Sequence, residues 1–135
     1  MTDHFTPVMR ALVAAALLLA SATLMLVVVN TARAHAHGAL AIGACGAFGQ
    51  AYDFHTADEA RKSALASCSG QGCRVVTLVK GGCAALAVDF TSGCGAHGWG
   101  KAPRLGSAQN VALKGCYRDG GKECVIRTFF CDIKE

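Results

Sequence analysis

The chain has 135 residues, eight of them cysteine, and a formal net charge of +4, which is enough for one small domain. All eight cysteines lie between Cys45 and Cys131. Residues 35–135 carry a net charge of about +3 without a run of Lys or Arg. Nucleic-acid-binding domains carry a clustered basic stripe, so we expect no nucleic acid among the partners.

Residues 1–34 are predicted to be an export signal. A charged start ending at Arg10 precedes an uncharged, apolar run over residues 11–29, and small-x-small processing sites follow it. We expect cleavage after Ala34 or Ala36, which makes the protein secreted or periplasmic, without stable membrane association. An uncleaved membrane anchor is the alternative, because the apolar run is long enough to span a bilayer.

The remaining chain, residues 38–132, is predicted to be one domain with two similar halves, about 38–83 and 84–131. Ala39-Leu40-Ala41-Ile42 matches Ala85-Leu86-Ala87-Val88, and the Cys-Gly-Ala turn at Cys45 recurs at Cys94. Similar segments in the same order indicate an internal duplication. The cysteines then correspond in four pairs: Cys45/Cys94, Cys68/Cys116, Cys73/Cys124 and Cys83/Cys131.

The first half reads as strand, strand, helix, strand. Its helix opens at Thr56, where Thr56-Ala57-Asp58-Glu59 is a capping-box pattern. Alternation, β-branched residues and glycine turns predict the strands. Their predicted bounds are Ala39–Ala44, Phe48–Phe54 and Arg74–Lys80, with Gly81-Gly82 turning the chain into Ala84–Phe90.

The second half repeats this order. Ser107 is the predicted N-cap of a helix over Ala108–Gly115, and the Asp119-Gly120-Gly121 turn leads into a strand over Val125–Phe130. We predict an α+β fold with both halves in one largely antiparallel sheet and two helices on one face. If the second strand of each half is too short to count, the order reduces to a split βαβ pattern.

Eight cysteines in an exported domain predict four disulfides. Zinc is the rival use, but the sequence has no Cys-x-x-Cys pair. The short spacings predict Cys68–Cys73 and Cys116–Cys124 as local bridges. The other four cysteines allow three pairings, and the split βαβ arrangement favours Cys45–Cys83 with Cys94–Cys131.

The repeated strand, Cys-Gly turn and Ala-rich helix resemble a known family. The matching residues are Gly38–Cys45, Ala57–Cys68, Cys73–Val76 and Cys83–Val88, and they resemble the exported bacterial family called domain of unknown function 4189. Gln50-Ala51 departs from the aromatic residues that members often carry after the turn, as in Gly98-Trp99-Gly100. The resemblance implies secretion and a duplicated domain, and it implies no activity.

Few residues of the predicted domain indicate a binding or catalytic site. The loop over residues 95–100 holds His97 and Trp99, and it is a candidate binding site because an exposed Trp beside a His could anchor a partner. The interpretation that we favour for Trp99 itself is that it fills a core otherwise made of small residues. We therefore expect a non-enzymatic module that binds an unknown protein or cell-envelope component.

Two further hypotheses involve histidines. A hydrolase using His97 or His55 is the alternative function, although no catalytic set with a nucleophile is recognisable. Cleavage after Ala34 would place His35 and His37 at the first and third positions of a new N-terminus, an arrangement that binds Cu(II) or Ni(II) in a square plane. No cofactor is expected.

Overall fold

The computed structural model of the protein describes residues 7–31 and 37–132. Clustering of contacts divides the chain into two compact units, Met1–Ala34 and His35–Glu135. Both predicted processing sites and His35 lie outside the described residues, so cleavage stays a prediction.

The first unit contains one α-helix, α1, over Pro7–Thr31. Its composition explains the helix, because Ala and Leu are strong helix formers and proline is well suited to the first helical position. Side chains 11–21 are exposed. Of the helices in the described residues, none is long and apolar enough to count as a membrane span.

Within the second unit, the described residues 37–132 form six strands and two α-helices in the order β1, β2, α2, β3, β4, β5, α3, β6. A single 3-10 turn over Ala44–Gly46 joins β1 to β2. The bounds are β1 His37–Ile42, β2 Phe48–Phe54, α2 Ala57–Ser67, β3 Arg74–Val79, β4 Gly82–Asp89, β5 His97–Ala102, α3 Leu105–Arg118 and β6 Cys124–Asp132.

The predicted α+β class is confirmed, but the strands form two antiparallel sheets instead of one. The sheet orders are β2-β1-β3 and β5-β4-β6. We call residues 37–79 the first half and residues 82–132 the second half. Both second strands, β2 and β5, pair with the central strands of their sheets, so the shorter split βαβ alternative is wrong.

The layers follow from the side chains of the two central strands. In β1, Ala39 and Ala41 pack against α2, whereas Leu40 and Ile42 belong to a cluster that contains residues of both sheets. In β4, Ala85 and Ala87 likewise pack against α3, and Leu86 joins the shared cluster. Successive side chains of a strand face opposite sides, so the sheets stack face to face with one helix on each outer face. Both central strands are therefore buried on both sides.

The helix starts differ from each other. Thr56 caps α2 as predicted: its hydroxyl accepts from the Glu59 amide, and the Glu59 carboxylate accepts from the Thr56 amide. The prediction for α3 is wrong, because that helix begins at Leu105 with Arg104 at the N-cap position and no side-chain cap. Since the chain leaves β5 at Ala102, Ser107 already lies within the first helical turn.

The disulfides include both predicted local bridges. Cys68–Cys73 and Cys116–Cys124 have Cα–Cα distances of 6.2 and 6.1 Å, and each joins a helix end to the following strand. The predicted long-range pairs Cys45–Cys83 and Cys94–Cys131 are wrong, and the structure instead contains Cys45–Cys94 and Cys83–Cys131.

The stacked sheets explain that correction. Cys83 and Cys131 are direct cross-strand partners on β4 and β6, an adjacency that a single split βαβ sheet lacks. Cys45 and Cys94 lie in the turns after β1 and β4, the central strands of the two sheets. Since Gly81 turns the chain with a φ of 65° and β4 starts at Gly82, Cys83 opens the second half instead of ending the first.

Asp89 ends β4 and is one of the buried charged residues. Its carboxylate accepts hydrogen bonds from the Lys122 amide at 3.0 Å, the Thr91 hydroxyl at 2.7 Å and the Thr91 amide at 2.9 Å. These donors, the Lys122 amide foremost, lower the pKa of Asp89 to about 2. The charged carboxylate thus ties the turn after β4 to the turn before β6.

Candidate functional site

A surface groove of about 350 Å³ lies where β5 meets the end of α3. The strand contributes His97, Gly98 and Trp99 to its lining, and the helix end contributes Gly115, Arg118 and Asp119. His97 and Trp99 were predicted to lie in a loop, but they belong to β5. They nevertheless line one groove, together with two charged residues that the sequence analysis did not assign to a site.

Glycines bring β5 and α3 into close contact. A Cβ atom on Gly98 would overlap the Ala112 carbonyl and the Cys116 amide, and one on Gly100 would overlap the Ala108 carbonyl. Only glycine permits so close an approach of two backbones. Both glycines are buried and face the helix, so the alternating residues His97, Trp99 and Lys101 are directed away from it.

Trp99 is 41% exposed, so the interpretation of this residue as core filler is wrong. The reason is its position on β5, which is an edge strand of its sheet. Its cross-strand neighbour Leu86 is fully buried in the core between the sheets. One side of Trp99 thus lies next to a buried neighbour and the rest of its side chain is accessible, as expected for an aromatic contact residue.

Asp119 connects the helix end to the strand. Its Oδ2 accepts a hydrogen bond from the His97 amide at 3.2 Å and lies 3.9 Å from the His97 Nδ1 atom. The two side chains form an ion pair whenever the imidazole is protonated. Asp119 also occupies the C-cap position of α3. The sequence analysis recognised it only as a turn residue, and nothing local indicates its contact with His97, which is 22 positions away.

The family of this chain is shown by a match to a protein-family model. A family model described as Domain of unknown function (DUF4189) matches residues 37–131, which is most of the chain. The chain belongs to the DUF4189 family. The match contains all four disulfides and every residue of the groove. Comparisons with curated proteins and with solved structures return no match.

The remaining predicted site residues of this DUF4189 protein are not part of the groove. His55 is exposed just after β2, and His37 opens β1, where it pairs with Phe54. Within residues 7–31 and 37–132, no group of three or more His, Cys, Asp or Glu side chains is placed to hold a metal ion. The N-terminal metal site depends on His35 and on cleavage, and it stays a prediction.

Two other depressions differ from the groove in chemistry. One, of about 230 Å³, is lined by Gln50, Tyr52 and the segment Phe129–Cys131, and its Tyr52 and Phe130 rings stack with centroids 6.2 Å apart. The other, of about 400 Å³, lies beside the Cys45–Cys94 disulfide and is lined partly by Phe90 and Arg127. The second depression also contains Asp89, so it combines an aromatic ring with unlike charges as the groove does, but its lining includes no histidine or tryptophan.

Proposed function

We propose that this DUF4189 protein is an exported, non-enzymatic binding module whose groove at His97 and Trp99 contacts a protein or a component of the cell envelope. The observation that carries the proposal is the 41% exposed Trp99 on a strand held rigidly against α3. Exposed Trp and Arg side chains contribute strongly to binding when their surroundings are preorganised. Trp99 and Arg118 are both among the residues that line the groove.

Export is supported by the disulfides and by the sequence of residues 1–34. Four disulfides and no free cysteine in the described residues are typical of an oxidising compartment. The intact mass of the exported protein tests this part of the proposal. We expect a mass that begins after Ala34 or Ala36 and rises by eight hydrogens on reduction. A full-length, fully reduced species from the envelope would contradict it.

Site-specific photo-crosslinking tests the contact site. A photoreactive phenylalanine analogue replaces Trp99 in one variant and Phe90 in a matched control. Phe90 is 75% exposed and lines the depression beside Cys45 instead. We expect a defined adduct in envelope preparations from position 99 and none from position 90. The same adducts from both positions, or none from either, would overturn the proposed site.

The alternative, a small exported hydrolase, is favoured by one observation. His97 and Asp119 form a histidine–carboxylate pair at the edge of a groove, an arrangement that orients a general base. Among the described residues that line the groove, none carries a hydroxyl or thiol, so water would be the nucleophile. Ester or peptide hydrolysis that is lost in His97→Gln and kept in His55→Gln would displace the binding proposal. The reverse pattern would assign the activity to His55.

A further inference from the structure

The four disulfides of the domain differ in their exposure to solvent. Cys45 and Cys94 are both exposed. In the bridge between Cys83 and Cys131, by contrast, Cys83 is 0% exposed and belongs to the apolar cluster between β4 and α3. A thiol that attacked Cys131 would expel Cys83 as a charged thiolate inside that cluster, which is unfavourable.

The two local bridges are partly covered by backbone. A Cβ atom on Gly43 would lie 2.8 Å from the Cys73 Sγ atom and 3.4 Å from the Cys68 Sγ atom. One on Gly121 would overlap the Cys124 Sγ atom. Both cysteines of each local bridge are buried or half-buried. Of the four disulfides, Cys45–Cys94 alone therefore offers two exposed cysteines to a reagent in solution.

Cys45–Cys94 is also the one disulfide that joins the two halves. Among the described residues, no hydrogen bond connects residues 43–47 with residues 91–95. The Ala44 amide instead donates to the Gln71 carbonyl at 2.9 Å, and the Gly95 amide donates to the Ser92 carbonyl at 2.8 Å. Opening the bridge thus releases two turns that are hydrogen-bonded only within their own halves.

Other contacts join the sheets independently of this bridge. Leu40 and Leu86 are fully buried in the cluster that contains residues of both sheets. Gln50 accepts from the Thr128 hydroxyl at one edge, and Lys101 donates to a carbonyl of the first half at the other. We therefore expect the sheets to stay stacked when the bridge opens, and only the end of the domain at the two turns to loosen.

Cys45 has a backbone conformation that is unusual for a residue with a side chain. Its φ of 57° and ψ of 38° lie in the left-handed region, which residues other than glycine adopt at an energetic cost. Such conformations persist where the surrounding structure fixes them, and they are concentrated at functional sites. The turn at Cys45 is therefore free to relax once its sulfur is released from Cys94.

We propose that Cys45–Cys94 is an exchangeable disulfide, which a dithiol protein opens by attacking Cys94. The turn around Cys94 is the more accessible one, because residues 91–95 are all exposed and glycines flank the cysteine on both sides. This inference goes beyond the proposed function and does not depend on the groove at Trp99.

The exchange needs only the two thiols of the partner. A thiolate of the partner forms a bond to the Cys94 sulfur, the Cys45–Cys94 bond breaks, and Cys45 leaves with the electron pair as a solvated thiolate. The second thiol of the partner then attacks the partner's own sulfur in the mixed disulfide and releases Cys94. The partner ends as a disulfide, and two electrons and two protons have passed to Cys45 and Cys94.

Timed reduction of the exported, oxidised protein tests the selectivity. Samples taken during treatment with dithiothreitol are quenched in acid, alkylated and mapped by peptide mass. We expect Cys45 and Cys94 to be alkylated together, at least tenfold faster than the other six cysteines. The difference should disappear in urea-unfolded protein, where no bridge is covered. Reduction of all four bridges in one phase, or of another bridge first, would overturn the proposal.

A thioredoxin-type protein whose second active-site cysteine is changed to serine tests the partner and the point of attack. We expect an acid-trapped mixed disulfide at Cys94, and none with the double variant Cys45→Ser, Cys94→Ser. An adduct at Cys45 would overturn the assigned point of attack, and the absence of any adduct would overturn the assigned class of partner.

Amide hydrogen exchange tests whether the opening is local. After selective reduction we expect faster exchange over residues 43–47 and 91–95 and unchanged exchange in β1 and β4. Faster exchange throughout both central strands would show that the bridge maintains the whole fold, which would overturn the proposed local opening.

Discussion

The two halves of the domain share one backbone plan and differ at their edges. Gln50 on β2 and Trp99 on β5 occupy matching positions, because each pairs with the leucine of its central strand, Leu40 or Leu86. The register irregularity also falls at the same step, after Leu40 in one sheet and after Leu86 in the other. That the halves are copies of one sequence stays a prediction from the sequence.

The side chains at these matching positions have opposite consequences. Gln50 accepts a hydrogen bond from the Thr128 hydroxyl of the opposite sheet at 2.7 Å, and Tyr52 stacks on Phe130 beside it. Trp99 stays 41% exposed, and the nearest link between sheets on its strand is the Lys101 ammonium donating to the Leu78 carbonyl at 3.0 Å. Side-chain contacts cover one edge, whereas Trp99 leaves the other edge accessible.

The largest expected effect is at the contact between strand and helix. Gly98→Val would force α3 away from β5, because a Cβ there overlaps the Ala112 carbonyl and the Cys116 amide. We expect a loss of at least about 3 kcal/mol in unfolding free energy, measured by urea titration. Gly49→Val should cost as much in the first half, where the Cβ overlaps the Ala64 carbonyl.

Gly106→Ala is the control for this pair, since no atom lies within 4 Å of its Cβ position. It lies in α3 without a positive φ, so we expect a gain of about 0.4–1 kcal/mol. A cost below about 1 kcal/mol for Gly98→Val would contradict the close packing of α3 on β5.

The second comparison concerns the two long-range disulfides. Cys45–Cys94 joins the halves and Cys83–Cys131 lies within the second half, yet their sequence separations are 49 and 48. Chain entropy alone therefore gives nearly equal losses of about 4 kcal/mol when either pair is changed to serine. Urea titration of the two double variants measures both losses. A larger loss for the Cys45/Cys94 pair would show that this bridge also maintains the stacking of the sheets. Equal losses would mean that the bridge stabilises the protein only by restricting the unfolded chain.

A smaller effect is expected at the closed edge. Gln50→Ala leaves the half-buried Thr128 hydroxyl without its partner, which costs about 0.5–1.5 kcal/mol, the net contribution of an ordinary hydrogen bond. Thr128→Val combined with Gln50→Ala should cost less than the sum of the single changes, because one hydrogen bond is lost only once. Thermal and urea unfolding of the four proteins test this coupling. Strict additivity would mean that the contact contributes nothing to stability.

The last prediction concerns the pH dependence of stability and involves Asp89, which occupies the position of Gly43 in the other half. Its pKa is lowered to about 2, so its contribution to stability is complete above the ordinary Asp pKa and is lost as the pH falls toward 2. In Asp89→Asn, the dependence of unfolding free energy on pH should flatten between about pH 4 and 2. Urea titrations across that interval measure the slope. An unchanged slope would place the titrating group elsewhere.

Local patterns predicted local structure well. The Thr56 capping box, the strand over Phe48–Phe54 and both short disulfides depend on residues within about one turn or hairpin of each other, where spacing alone fixes geometry. The prediction of Ser107 as the N-cap failed because it depended on residue type alone, whereas the helix begins two residues earlier without a side-chain cap. The start at Leu105 follows from where β5 releases the chain.

The site was predicted only in part. His97 and Trp99 were recognised by residue type, but Gly98 and Gly100 were interpreted as loop residues. In the structure these two glycines allow α3 to pack closely against β5. Glycine tolerates turns and close backbone contacts alike, so the sequence could not distinguish the two. Arg118 and Asp119 join the site through a contact that spans 22 positions.

The sequence by itself determined the α+β class, the order of the elements, the capping of α2 and the bridges closed by short turns, since these depend on neighbours along the chain. Only the tertiary structure decided that there are two stacked sheets, that Cys45 pairs with Cys94, and that Trp99 lies at an accessible edge. Those features depend on which faces of β1 and β4 bury each other. Both strands are apolar on both faces. Their sequence pattern therefore predicts that they are buried but does not predict which sheet or helix packs against each face.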